Sequence, residues 1–100
     1  DSAPHKLTDK ENECGCAGIF NTVNSIPILT QLFENNKKLK NLQKFTSENG
    51  ARHYGLPINR NITILKKMND PIQFPDFLSR NNLKIKVFKP PFDVFWKISN

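Results

Sequence analysis

The sequence predicts a mixed α/β piece: the closing segment of a larger α/β fold, followed by a small strand-rich appendix. Three observations lead there. Apolar residues recur at helical spacing up to about residue 45, then alternate with lysines in the second half. At 100 residues the chain is long enough for one small domain, but its order of loop, two helices and three strands does not complete a barrel or a doubly wound sheet. The sequence also opens on Asp1 without an initiator Met, Met68 being its single methionine, as expected of a fragment, a processed product or a trimmed chain.

Residues 1–18 are polar and end in the small-residue run Gly15-Cys16-Ala17-Gly18, which predicts an ordered loop and no helix. Ile26, Leu29, Leu32 and Phe33 then fall on one helical face over residues 25–34. Asn24 or Ser25 is placed to cap that helix, and Pro27 is tolerated in its first turn. Leu39, Leu42 and Phe45 predict a second helix with Gly50 as its C-cap, before a turn at Gly55-Leu56-Pro57. Ile62 to Leu65 predicts a short strand. Residues 69–82 carry two Pro, three Asn and two Asp and read as loop. Leu83, Ile85 and Val87 alternate with Lys84 and Lys86, predicting a half-buried strand with a lysine outer face. Val94 to Ile98 is the last predicted strand.

The net charge of +6 lies wholly in residues 51–100, since residues 1–50 hold six residues of each sign. A basic half can favour an anionic partner, but no motif of an RNA- or DNA-binding module accompanies it, and a solvated lysine face is the simpler reading. Cys14 and Cys16 are one residue apart, too close for a Cys-x-x-Cys zinc or redox pair. They predict free thiols and a reducing compartment. No segment approaches the roughly 20 apolar residues of a membrane span.

The residues able to carry chemistry cluster at the start. Asp1 and His5 sit four apart on the polar loop. A carboxylate there can ligate a divalent metal or move a proton, and an imidazole can bind an anion or a metal. Gly15 to Gly18 can present backbone N–H groups to an anion, or simply make a tight turn. His53 reads as a structural histidine. Trp96 and Phe88, Phe92 and Phe95 read as core or interface.

In combination these stretches resemble the C-terminal region of dihydroorotase of the homodimeric bacterial type. The resemblance rests on Asp1-Ser2-Ala3-Pro4-His5, on Glu13 to Asn21, on Phe45 to Asn59, on Ile62 to Lys67 and on Val94 to Ile98, in order along nearly the whole chain. It implies a TIM-barrel amidohydrolase of which residues 1–60 form the end of the barrel domain and residues 61–100 a C-terminal β-rich appendix. It implies two zinc ions and the interconversion of dihydroorotate and N-carbamoyl-L-aspartate in pyrimidine biosynthesis. Asp1 is then the catalytic residue, ligating one zinc and shuttling the proton of the attacking water. His5 binds the substrate carboxylate, and the backbone of Ala17 contacts the same substrate. The remaining metal ligands, a His-x-His pair, a carboxylated lysine and two further histidines in that family, are not in this sequence.

The resemblance therefore implies a cytoplasmic homodimer acting on a small molecule, without nucleic-acid or membrane partners, and an isolated 100-residue chain that is inactive. Two other readings remain open at this point. One is a non-catalytic basic module that binds an anionic partner. The other is a degenerate remnant of the enzyme.

Overall fold

A computed structural model describes residues 2–99. The architecture is mixed α/β with few strands. Its elements run α1 (Leu7–Lys10), α2 (Ser25–Asn35), a 3-10 turn (Leu39–Asn41), a π-helical turn (Lys44–Glu48), α3 (Asn49–His53), β1 (Leu65–Lys67), β2 (Phe77–Arg80), β3 (Leu83–Lys86) and β4 (Trp96–Ile98). They sort into two compact units that interleave in sequence. The first comprises the residues up to Ser25 together with Gln73–Asp93; the second comprises Ile26–Ile72 and the residues from Val94 onward.

The first unit is built on an antiparallel hairpin, β2 with β3, in the register Phe77↔Lys86 to Arg80↔Leu83. Its two-residue turn is Asn81-Asn82, with φ of 48° and 64°. Positive φ at both central residues makes a type I′ turn, whose twist matches that of the flanking strands, and Asn tolerates that region better than most residues. This corrects the reading of residues 69–82 as loop: the asparagines mark the tip of a hairpin, not the absence of one. On the side of β3 away from β2, Lys6 bridges to Ile85, and the Lys86 N–H donates to the His5 carbonyl at 3.4 Å. The lysine face of β3 is occupied by partners. Lys84 stands 4.6 Å over the Phe77 ring, and Lys86 reaches Glu11 at 3.4 Å. Lys89 pairs with Asp76 and holds its carboxyl below the ordinary carboxylate range.

Two buried residues close this unit. Val87 is 1% exposed, and its N–H donates to the Asp76 carbonyl. Asn24 is fully buried, and its amide donates to the Phe88 carbonyl at 2.7 Å. Asn24 therefore ties two segments of the unit together and leaves its Oδ1 without a partner, so it does not cap α2 as its position suggested. A second correction concerns α1. The opening stretch contains one helical turn, closed by Glu11 N–H to Leu7 O at 3.0 Å. A single turn has no hydrophobic period to read and depends on its surroundings for stability.

In the second unit α2 forms where expected, but the residues it buries are Pro27, Ile28, Thr30 and Gln31, while Ile26, Leu29 and Phe33 are half-buried and Leu32 is exposed. It ends at Lys37, whose φ is 57°. Lys38 N–H donates to Phe33 O at 2.7 Å and Lys37 N–H to Glu34 O at 2.9 Å. That pair of bonds is a Schellman motif with lysine where glycine is usual. The next helical segment is not one helix. It passes from 3-10 through a π turn into α3, and Gly50 lies inside α3 instead of capping it. Thr46 Oγ1 donates to the Leu42 carbonyl at 2.9 Å and accepts from the Ser47 hydroxyl at 3.1 Å, so a hydroxyl competes with the backbone where the ladder changes pitch. The segment ends instead at Gly55, φ 64°, with Leu56 N–H on Ala51 O and Gly55 N–H on Arg52 O, a second Schellman motif.

β1 and β4 form a second antiparallel pair, Leu65↔Ile98 to Lys67↔Trp96. The strand predicted at Ile62 to Leu65 thus begins later, because only from Ile64 does the backbone find a partner, Ser99. Gln31 Oε1 accepts the Phe95 N–H at 3.0 Å, and Lys67 reaches Glu34 at 2.8 Å, so α2 is tied to this sheet by polar groups as well as by apolar packing. Lys67, and more weakly the nearby Trp96 indole N–H although it makes no well-formed hydrogen bond, lower the Glu34 pKa from its ordinary 4.5. Val94 is 2% exposed at the base of the strand.

Candidate functional site

Of the residues singled out by sequence, His5 and Ala17 fall in the same unit; Asp1 lies outside the described residues. His5 is half-buried on the stretch that runs beside β3, where its carbonyl is held by Lys86. Its Nδ1 is buried and has no hydrogen-bond partner. A buried imidazole nitrogen without a partner is uncommon and marks a position where a further donor or acceptor belongs.

Ala17 sits on an exposed loop with a defined scaffold. Cys16 N–H donates to Asp9 O at 2.8 Å and Gly15 N–H to Asn12 O at 3.1 Å, which fixes the start of the loop against α1 and the turn that follows it. Ala3 N–H donates to Ile19 O at 2.7 Å, which fixes its end. Between these, the Lys10 ammonium takes the carbonyls of Cys16, Ala17 and Gly18 at 3.0, 3.3 and 2.6 Å. Gly18 has φ 87°, and a Cβ built on it would lie 2.7 Å from the Ala3 Cβ. Only glycine satisfies both conditions. The Ala17 and Gly18 N–H groups take no acceptor among the described residues. The arrangement presents backbone donors to an anion, as the small-residue run suggested.

Lys10 was not evident from the sequence. A lysine eight residues before a glycine carries no pattern; the only hint is that the run of small residues needs an outside group to hold it. Beside this loop a cleft of about 350 Å³ is lined by Lys10, Gly18, Phe20, Asp76 and Lys86 among others. A larger cleft of about 480 Å³ in the second unit has Glu48 as its one titratable side chain, and Glu48 is engaged by Arg52 and Gln43. It offers little for catalysis.

Cys14 and Cys16 are free and exposed. His53 is exposed and packs edge-on against the Tyr54 ring at 4.8 Å, a surface pair and not a buried structural histidine. Among the described residues no three His, Cys, Asp or Glu side chains come together as a metal-holding group. No helix among them is long and apolar enough to cross a membrane.

Comparison with known proteins places these features. No protein-family model matches the chain. The dihydroorotase of Sinorhizobium medicae is 40% identical over 98 residues, covering 98% of this chain and 28% of its own length. That of Chelativorans sp. is 39% identical over 100 residues, covering 100% of this chain and 29% of its own. Among solved structures, dihydroorotase from Saccharomyces cerevisiae in complex with 5-fluoroorotic acid superposes with a TM-score of 0.82 at 30% identity, over 99% of this chain and 28% of that one. Dihydroorotase from Campylobacter jejuni superposes with a TM-score of 0.75 at 27% identity, over 100% of this chain and 28% of that one. The chain spans just over a quarter of the length of the curated relatives it matches, and it corresponds to their C-terminal segment.

Proposed function

We propose that this chain, whose sequence and fold match the C-terminal segment of dihydroorotases, is the closing part of a two-zinc TIM-barrel enzyme that interconverts dihydroorotate and N-carbamoyl-L-aspartate. Residues 1–60 end the barrel domain, and residues 61–100 form its appendix. The full protein is a cytoplasmic homodimer acting on a small molecule, with no nucleic-acid or membrane partner. The observation that carries the reading is the correspondence of the whole chain, in order, with relatives of one activity.

The described residues do not make a zinc site by themselves. The chain contributes one ligand, Asp1, and the rest of the protein supplies the others. Zinc, when bound, would polarise the ring amide carbonyl and lower the pKa of a bound water to about 7. The Asp1 carboxylate accepts the proton as water attacks and returns it to the leaving ring nitrogen. Active-site residues at the C-terminal ends of strands are what a TIM barrel requires.

The substrate carries a carboxylate, and two features here suit it. His5 keeps an unpartnered buried Nδ1, and an imidazole can donate a hydrogen bond to a carboxylate. The Ala17 and Gly18 N–H groups form a backbone cradle for the same group. The 5-fluoroorotic acid of the yeast complex is a pyrimidine carboxylate of this kind.

The test is turnover of dihydroorotate by the full-length protein. Asp1→Asn is expected to lower kcat by a factor of about 100 or more, 100 being roughly the lower end of the range for loss of a positioned general base; wild-type turnover in that variant sinks the role given to Asp1. The isolated 100-residue chain with added zinc is expected to show no turnover. Measurable hydrolysis by that chain overturns the dependence on missing ligands.

A further inference from the structure

The geometry points to Lys10 as a positioning residue that turns the amides of the 15–18 loop toward the substrate carboxylate, a role that rests on the dihydroorotase reading above. Lys10 Nζ reaches three successive carbonyls, those of Cys16, Ala17 and Gly18. An ammonium has three N–H donors, so all three are used. Charge-assisted bonds of this kind are about twice as strong as neutral ones. Each peptide unit is planar and trans, so its N–H points opposite to its carbonyl. Drawing three carbonyls onto one cation therefore turns the N–H groups of the same peptide units, those of Ala17, Gly18 and Ile19, away from Lys10. The φ of 87° at Gly18 permits the sequence of turns.

Three carbonyl oxygens on one side repel one another without a cation between them. In the absence of the ammonium the cheapest relief is rotation of a peptide plane, which withdraws an N–H from the other side. Lys10 touches no reacting atom in this scheme. It acts through the loop backbone, on the end of the substrate away from the bond being broken, so its removal weakens binding more than chemistry.

In the full-length protein, Lys10→Met is expected to raise the KM for dihydroorotate about tenfold or more while kcat stays within about threefold. The inhibition constant of orotate, which carries the same carboxylate, is expected to rise by the same factor. Lys10→Gln keeps one side-chain amide donor group, and is expected to fall between wild type and Lys10→Met; it carries the test if Lys10→Met does not fold. Amide hydrogen exchange at Cys16, whose N–H is held by the Asp9 carbonyl at the start of the clamped loop, is expected to quicken in both variants. An unchanged KM and orotate affinity overturn the proposal, as does a fall in kcat with KM unchanged. Absence of dihydroorotate turnover in the wild-type protein overturns instead the functional reading and the substrate role of the clamp with it, while faster exchange in Lys10→Met still registers the clamp itself.

Discussion

Two stretches of irregular backbone in this chain are held in opposite ways. Residues 14–19 carry few apolar side chains and are pinned at both ends and in the middle by hydrogen bonds from their own unit. Residues 56–64 carry Leu56, Ile58, Ile62 and Ile64, all exposed, with Ile62 at 83% and Ile64 at 55%. Their local backbone support includes an Asx turn, Asn61 N–H on Asn59 Oδ1, and the bond from Ser99 to Ile64. The first stretch is finished by the chain itself, because polar groups can be satisfied by a few well-placed partners. The second asks for surface, and apolar surface is covered only by more protein. The same contrast runs through the described residues at large: Ile28, Leu42, Val87 and Val94 are buried, whereas fourteen large hydrophobic side chains are exposed.

The largest effect is expected where the pinned loop is tightest. Gly18→Val should destabilise the full-length protein by about 3 kcal/mol, combining a positive φ with a clash against Ala3. Thermal or urea unfolding measures it, and a loss under about 1 kcal/mol would mean the loop relaxes freely. Next comes the open stretch. If the remainder of the enzyme covers it, Ile62→Ser in the full-length protein should cost about 1–3 kcal/mol of stability. A change below about 0.5 kcal/mol would show that Ile62 stays as open as it is here, and the comparison would lose one of its sides. Lys37→Gly should stabilise by about 0.5–1 kcal/mol, since glycine occupies the left-handed C′ position without the Cβ penalty; a loss of stability would count against that account of the α2 terminus.

The smallest effect is electrostatic. Glu34 has a folded pKa below its ordinary 4.5, so its pairing with Lys67 contributes stability above that value and loses it as the pH falls through the lowered one. Lys67→Met should therefore cost a few tenths of a kcal/mol near neutral pH and nothing below the lowered pKa, flattening the acid limb by that same amount, which is small because the pair is partly exposed. An equal loss at all pH values would point to packing by the lysine stem instead.

These tests also mark where the sequence was readable. The helix at Ser25–Asn35 and the lysine-faced strand at Leu83–Lys86 follow from the spacing of local residues, although the helix buries Pro27, Ile28, Thr30 and Gln31 and not the predicted face, and Leu32 and Leu83 are exposed. The hairpin partner Phe77–Arg80 was hidden because Asn81-Asn82 reads as loop unless both asparagines are placed at positive φ. The broken helical segment was hidden because Thr46 turns its hydroxyl back onto the Leu42 carbonyl, which a count of apolar residues ignores. Within the candidate site, the loop and His5 could be named from motif order, and the cradle's shape could not. Lys10 is an ordinary charged residue in any window of sequence, and its meaning comes from three carbonyls that only the folded loop brings to it.

The interleaving of the two units has a consequence for how the chain is made. The hairpin of β2 and β3 is local and can form in about 1–10 μs, as isolated hairpins do. Joining it to the residues before Ile26 means closing a loop across Ile26–Ile72, roughly 50 residues, at an entropic cost of about 3 kcal/mol. On a ribosome the loop bearing His5 and Ala17 emerges before the hairpin that scaffolds it, and waits. Its scaffold strand arrives only after the whole of Ile26–Ile72 has been synthesised, and β4 later still. The loop where the proposed chemistry lies is thus exposed to solvent, proteases and chaperones until its scaffold strand arrives, and a chain that terminates before that strand leaves both units unfinished.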